Sequence, residues 1–276
     1  MTRSCSHPPR KRLAPYKHPR RSDQRTLTQL HFALDSSVLK TCSLCSLSYT
    51  KGAPDDETLH RSHCGRVQRG MEWGKDEERE ALKASVHEVA ASLKLRDGTK
   101  GRIVCFPATV GGKIGTKLAH LLDTINLALA SPPLTESTLK SSKAYLFLLP
   151  APSNSHREKI VGCIIAQRIS TAMAIATPQV TTPAQTHSLV AVDASSGLFC
   201  HPSPLPTPLG ITRLFVPSAH RRQGIATQLL SAAAATFIHA CPLDPTKGQV
   251  AFTQPTEGGC AVMEKWGKGF VRIYEE

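Results

Sequence analysis

Long apolar runs are missing from this 276-residue chain. No stretch approaches the roughly 18 consecutive apolar residues of a membrane helix, so no span is expected. The opening stretch MTRSCSHPPRKRLAPYKHPRR has no apolar centre, which excludes a secretory signal there. Internal repeats are absent. So are the two common phosphate loops, Gly-x-x-x-x-Gly-Lys-Ser/Thr and Gly-x-Gly-x-x-Gly; Gly111-Gly112-Lys113-Ile114-Gly115 fits neither. Paired cysteines are scarce as well. Of nine, only Cys42 and Cys45 lie close together, which argues against a disulfide framework and for a reducing compartment, cytosol or nucleus.

Acidic residues are also in deficit, 21 against 34 Lys and Arg, for a formal charge of +13. Residues 1–40 hold nine Lys/Arg against two Asp, so much of the excess sits in one tail. Residues 1–23, rich in Pro, Arg and Lys, read as a disordered, solvated arm. Such an arm suits an acidic partner, a nucleic acid or an import receptor. Arg10-Lys11-Arg12 and Arg20-Arg21 suit a nuclear localisation signal. Apolar content of 40% leaves material for a medium domain, a small module and this tail.

Past the tail, residues 72–95 read as a helix, with Leu82, Val86, Val89 and Leu93 on one stripe and Gly98 as its stop. RIVCF (102–106) reads as a strand. Residues 114–130 form a second amphipathic helix, striped by Ile114, Leu118, Leu121, Ile125 and Leu129 and ended by Pro132-Pro133. AYLFLLP (144–150) and IVGCIIAQRI (160–169) read as a hairpin pair. Residues 171–208, rich in Thr, Ala, Ser and Pro, read as a flexible insertion. GITRLFV (210–216) is a strand, 226–240 a helix, and QVAFTQP (249–255) and GFVRIYE (269–275) are closing strands. Alternating strands and helices predict helices packed on a mixed sheet.

Strand GITRLFV runs directly into PSAHRRQGIATQLL. The turn from Arg221 to Ala226 fits Arg/Gln-x-x-Gly-x-Gly/Ala, which resembles the acyl-CoA signature of the GNAT acetyltransferases. Unpaired N–H groups at a helix start, beside the positive end of the dipole, suit a pyrophosphate. Gly224 removes the Cβ that would block close approach, Ala226 keeps the next turn small, and Arg221 and Arg222 add charge. The bland alternative is a basic surface turn.

CSLCSLSYTKGAPDDETLHRSHC (42–64) offers zinc its preferred ligands. Cys42 and Cys45 share one turn. His60 falls on a helix opened by Pro54-Asp55-Asp56, and both Cys64 and His63 face the same side as His60. Cys42, Cys45, His60 and Cys64 close a site, with His63 as the alternative fourth ligand. One finger with an acidic helix start is a poor DNA reader, so a structural or docking role is expected.

A basic tail, one such finger, and LGITRLFVPSAHRRQGIATQLL followed by VAFTQPTEGG together resemble the cohesin acetyltransferases. Tyr49, Pro54 and Asp56 extend the match in the finger. The resemblance covers residues 40–66 and 209–274. It implies an α+β fold: a GNAT-like mixed β-sheet flanked by helices, preceded by a ββα zinc finger and the disordered tail. It implies these domains: tail 1–40, finger 41–66, helical linker 67–100, and acetyltransferase 101–276. It implies acetyl transfer from acetyl-CoA to lysines of a cohesin ATPase-head subunit, on chromatin, during DNA replication in the nucleus. It implies one structural zinc ion, and cofactor contacts from Leu214, Phe215, Val216, Arg221, Arg222, Gln223, Gly224, Ile225, Ala226 and Thr227.

Family members carry a sliding-clamp-binding peptide before the finger, and Gln24–Phe32 is similar. Two positions depart from the pattern. Cys64 stands where a histidine is usual, and Gln254 stands where some members have Asp, so that acid cannot serve as a base here. Thr253 and Glu257 are then the catalytic candidates. The competing readings are a non-catalytic zinc-finger protein that binds nucleic acid, and a GNAT enzyme acting on another protein or a small amine.

Overall fold

The computed structural model describes residues 38–151, 154–176, 189–193 and 198–275. The expected arm, localisation signal and clamp peptide all lie outside the described residues. No described helix is long and apolar enough to cross a membrane.

The described residues begin with a short antiparallel pair, β1 (Leu39–Thr41) and β2 (Ser48–Thr50), followed by helix α1 (Pro54–Arg69). Pro54 opens α1 where a missing N–H costs nothing, Asp55, Asp56 and Glu57 fill its first turn, and Arg66 and Arg69 its last. Strand β3 (Met71–Trp73), helix α2 (Lys75–Ala81) and strand β4 (His87–Lys94) come next. Here the structure corrects the expected 72–95 helix and its helical linker. Leu82, placed on the buried stripe, is 82% exposed. Val89 and Leu93 are part-buried, but from a strand. Asp97-Gly98 is the turn of a β-hairpin, not a helix stop: Gly98 has φ +88 and Asp97 Oδ1 accepts from Thr99 N.

Strand β5 (Lys100–Pro107) pairs with β4, and helix α3 (Gly112–Ala128) follows as expected. After the short helix α4 (Glu136–Lys140) come β6 (Ser142–Ala151) and β7 (Asn154–Arg168), the expected antiparallel pair. Of the expected flexible insertion, most of the described residues are strand: β8 (Thr171–Ile175), β9 (Val190–Asp193) and β10 (Leu198–Pro206). Residues 177–188 and 194–197 within it lie outside the described residues. Pro202, Pro204 and Pro206 fall at alternate positions of β10, so their missing N–H groups lie along one edge, which a strand tolerates. Strand β11 (Leu209–Phe215), helix α5 (Ile225–Thr236), strand β12 (Val250–Phe252), helix α6 (Glu257–Gly267) and strand β13 (Arg272–Ile273) complete the chain.

The main sheet runs β4-β5-β6-β7-β11-β12-β13-β8-β10-β9, with β3 paired to β7. It is antiparallel from β4 to β11, parallel from β11 through β12 to β13, and antiparallel beyond. Alternate residues of the central strands feed two cores. Ile103, Tyr145 and Phe147 face α5 and α6, while Val104, Phe106, Leu146 and Leu148 face α1 and α3. Each such side chain, fully buried, contributes about 1.5–3 kcal/mol. Arg66 Nε donates to Thr124 Oγ1 at 2.9 Å, so the finger helix is bound to α3.

Candidate acetyl-CoA cleft and metal centre

The cleft begins where two parallel strands part. β11 and β12 are in register only from Leu209↔Val250 to Ile211↔Phe252. Thr253 N still donates to Ile211 O at 3.2 Å, and Thr253 Oγ1 to Thr212 O at 3.0 Å. Beyond that point β11 stays paired to β7 through Arg213↔Ile165, Leu214↔Ile164 and Phe215↔Cys163, while β12 turns away into α6. One edge of β11 therefore faces a cleft of about 1400 Å³.

Nine of the ten expected cofactor residues line this cleft: Leu214, Phe215, Val216, Arg221, Arg222, Gly224, Ile225, Ala226 and Thr227. Phe215 and Ile225 bury their side chains in opposite cores, so they reach the cleft through main chain. Gln223 does not line it; its Oε1 is buried without a hydrogen-bond partner. Gly224 is the N-cap of α5 with φ +94, and a Cβ there would meet only Gln228 Nε2, at 4.0 Å. No side chain caps this helix. Its first N–H groups are thus left for a ligand, and the space over the glycine is open to one.

The Gly111–Gly115 loop makes the contrast. Glu80 Oε2 accepts from Lys113 N at 2.8 Å at the start of α3, and a Cβ on Gly112 would collide with the Glu80 carboxylate. The chain's own carboxylate takes the place an anion would need.

Thr253 and Glu257 stand on the opposite wall of the cleft. Glu257 is exposed and opens α6, with Thr256 as N-cap accepting from Gly259 N at 3.3 Å. Arg213 is a cleft residue that the sequence reading missed. Its side chain is buried: Nε donates to Asn126 Oδ1 at 3.1 Å, Nη1 to Thr212 O at 2.8 Å and Nη2 to Pro132 O at 2.8 Å. The fork ties β11 to the end of α3 and the segment after it. An arginine inside an otherwise apolar strand was the available clue.

In the finger, Cys42, Cys45, His60 and Cys64 place one ligand atom each within 4.8 Å of one another. His63 is outside this group; its ring is buried and both nitrogens lack partners. The Cys42 and Cys64 sulfurs are 3.9 Å apart, close to the ~3.8 Å edge of a tetrahedron with ~2.3 Å Zn–S bonds. His60 Nε2 is buried and unpartnered, and its ring stacks on Tyr49 with centroids 4.1 Å apart. The Leu44 backbone N–H, directed at the Cys42 sulfur, pushes that thiol down to about 6. Burial pushes the Cys45 thiol up to about 11, and the nearby Cys42 and Cys64 sulfurs add to the rise. Converging sulfurs of this kind are stabilised by a bound cation, and the donor set suits zinc.

Two family profiles match the chain. "Zinc-finger of acetyl-transferase ESCO" matches residues 29–66, and "ESCO1/2 acetyl-transferase" matches residues 206–274. N-acetyltransferase ECO1 of Yarrowia lipolytica is 28% identical over 98% of this chain and 81% of its own length. N-acetyltransferase eso1 of Schizosaccharomyces pombe is 26% identical over 87% of this chain, and human N-acetyltransferase ESCO1 is 24% identical over 79%. The chain spans 24% of the length of each of these two larger proteins. The solved xEco2 acetyltransferase domain bound to a CoA conjugate superposes with a TM-score of 0.54 at 20% identity, covering 70% of this chain and 98% of that one. That likeness extends the shared fold across the sheet and helices described above. With the finger and the transferase segment present together and in family order, the chain resembles the ESCO family of acetyltransferases.

Proposed function

We propose that the chain transfers the acetyl group of acetyl-CoA to lysines of a cohesin ATPase-head subunit, in the nucleus, and so establishes sister-chromatid cohesion during DNA replication. The observation that carries the reading is the wedge between β11 and β12 with the uncapped start of α5 at its mouth. It supplies what a thioester donor needs: a free strand edge for the pantetheine amides and main-chain N–H groups for the pyrophosphate. The names of the relatives support N-acetyl transfer. The finger motif, with one zinc ion on Cys42, Cys45, His60 and Cys64, and the basic tail support a chromatin-bound protein substrate over a small amine.

In this reading the free edge of β11 from Arg213 to Val216 orients the thioester. Arg221, Arg222 and the N–H groups of Ile225, Ala226 and Thr227 hold the phosphates. The attacking lysine must first lose a proton. Glu257, on the exposed wall, accepts it through water; the neutral amine then forms the amide bond as the carbon–sulfur bond breaks, and the coenzyme A thiolate leaves with the amine's second proton, relayed through water. The Thr253 hydrogen is already engaged by Thr212 O, so its oxygen lone pairs remain to orient the incoming amine.

The test is acetyl transfer from labelled acetyl-CoA to cohesin heads and to histones, with zinc measured on the same sample. Transfer to heads is expected; transfer to histones alone refutes the substrate. Glu257→Gln and Thr253→Ala are both expected to slow transfer, and wild-type rates in both refute their roles. Gly224→Asp is expected to abolish acetyl-CoA binding by calorimetry, because its side chain is strained at φ +94 and repels the phosphates. Unchanged affinity refutes the cleft assignment.

A further inference from the structure

The sequence places no cofactor residue before β11, yet the cleft has a wall there. The β4–β5 turn, Leu95-Arg96-Asp97-Gly98, lies beside the start of α5. Gln228 Nε2 of α5 donates to Lys94 O at 3.2 Å, on one side of Arg96. On the other side, Asp97 and His220 act on each other electrostatically, so the turn also meets the segment leading into the phosphate loop. Arg96 lines the same cleft as His220, Arg221 and Arg222.

Arg96 is exposed and, among the described residues, makes no hydrogen bond or ion pair; the same holds for Arg222. The one acid beside it, Asp97, accepts from Thr99 N at 2.9 Å within its own turn. The mouth of the cleft thus carries guanidinium groups from two separate elements. The start of α5 suffices for one phosphate cluster only, because its dipole acts within the first turn. Coenzyme A has two clusters: the pyrophosphate, and a separate 3′-phosphate on the ribose.

We propose that Arg96 is a specificity residue that recognises the 3′-phosphate of coenzyme A. The proposal rests on the acetyl-CoA reading of the cleft. It adds a recognition element from the β4–β5 hairpin, outside the matched transferase segment of residues 206–274. An arginine fork suits a phosphate dianion, and two guanidiniums from independent elements would distinguish coenzyme A from its dephospho form.

Calorimetry on the full chain with acetyl-CoA and with 3′-dephospho-acetyl-CoA tests it, using wild type, Arg96→Ala and Arg79→Ala. Arg79 is a remote exposed arginine on α2, paired with Asp76, and it controls for general charge. Wild type is expected to prefer acetyl-CoA. Arg96→Ala is expected to bind acetyl-CoA roughly three- to ten-fold more weakly, the range for a charge-assisted contact open to solvent. Its affinity for the dephospho form stays unchanged, so the preference collapses, while Arg79→Ala behaves as wild type. Equal weakening toward both ligands means that Arg96 only supports the hairpin, and it overturns the proposal. A preference unchanged in Arg96→Ala, or equally reduced in Arg79→Ala, overturns it too. Wild type that binds neither ligand overturns the acetyl-CoA reading itself, an outcome distinct from the others.

Discussion

The Thr253 hydroxyl donates to the Thr212 carbonyl at 3.0 Å, at the point where β11 and β12 separate. This bond sets the apex of the cleft. Thr212 is buried and its carbonyl also accepts from Arg213 Nη1 at 2.8 Å, so removing the Thr253 hydroxyl leaves it one partner and costs about 0.5–1.5 kcal/mol, the net worth of one hydrogen bond. Thr253→Val, which keeps the shape and removes the donor, is expected to lower the melting temperature and to cut kcat roughly ten- to hundred-fold, since a small displacement at the reacting centre has that effect. Thr253→Ser keeps the hydroxyl and is expected to keep both properties. Equal kcat in the Val and Ser variants contradicts the account.

Zinc content separates the two possible closing ligands of the finger. Cys64 lies in the four-donor cluster and His63 does not. Cys64→Ala is expected to lose the metal and Cys64→His to retain it. His63→Ala is expected to retain full zinc while losing stability, because His63 is buried on α1. Loss of zinc only in the His63 variant reverses the assignment. Chelation should lower the melting temperature of the whole chain rather than of a separate module, since Cys45, Cys64 and Val67 share a core with α3 and the sheet.

Gly162 on β7 lets α5 approach the sheet. A Cβ there would stand 2.6 Å from Ile225 Cγ2 and 2.7 Å from Leu229 Cδ1. Gly162→Ala must displace the first turn of α5, which carries the free N–H groups. An overpacked core costs about 1–3 kcal/mol. A lower melting temperature is expected together with a raised KM for acetyl-CoA. A change in stability with KM unmoved would show that the helix start is not positioned by this contact.

Glu77 links α2 to α3 and gives a pH signature. Burial alone would raise its carboxyl, but the Lys117 ammonium at 2.8 Å and the Gly74 N–H outweigh this and hold it below the ordinary glutamate value. A carboxyl depressed in the folded state stabilises above its unfolded pKa, near 4.3, and loses that contribution as pH falls through the folded value. Glu77→Gln is expected to cost roughly 0.5–1 kcal/mol at pH 7, and progressively less as the wild-type Glu77 carboxyl is protonated at low pH. Urea unfolding at pH 7 and near pH 3 measures this; an equal gap at both contradicts it.

Where chemistry is local, the order of residues was enough. Cys42, Cys45, His60 and Cys64 could be read as one site because a tight turn and a helical offset bring them together without help from the rest of the chain. The Arg221–Ala226 turn was legible for the same reason: a strand, a glycine at positive φ and a helix start are neighbours in sequence. The apolar strands β5, β6, β7 and β11 and the striped helix α3 announced themselves through periodicity.

Tertiary contact decided the rest. The 82–93 pattern has helical spacing, yet pairing with β5 holds residues 87–94 as a strand. The Thr- and Pro-rich segment could not be told from a loop until β8 found β10 and β13 as partners. The cleft itself is a relation between β11 and β12, some forty residues apart, and Arg213 and Arg96 meet it from directions that no local pattern encodes. Local spacing specifies ligands and turns because their geometry is carried by a few consecutive residues. The shape of the cleft depends on how strands distant in sequence part, and only the folded sheet determines that.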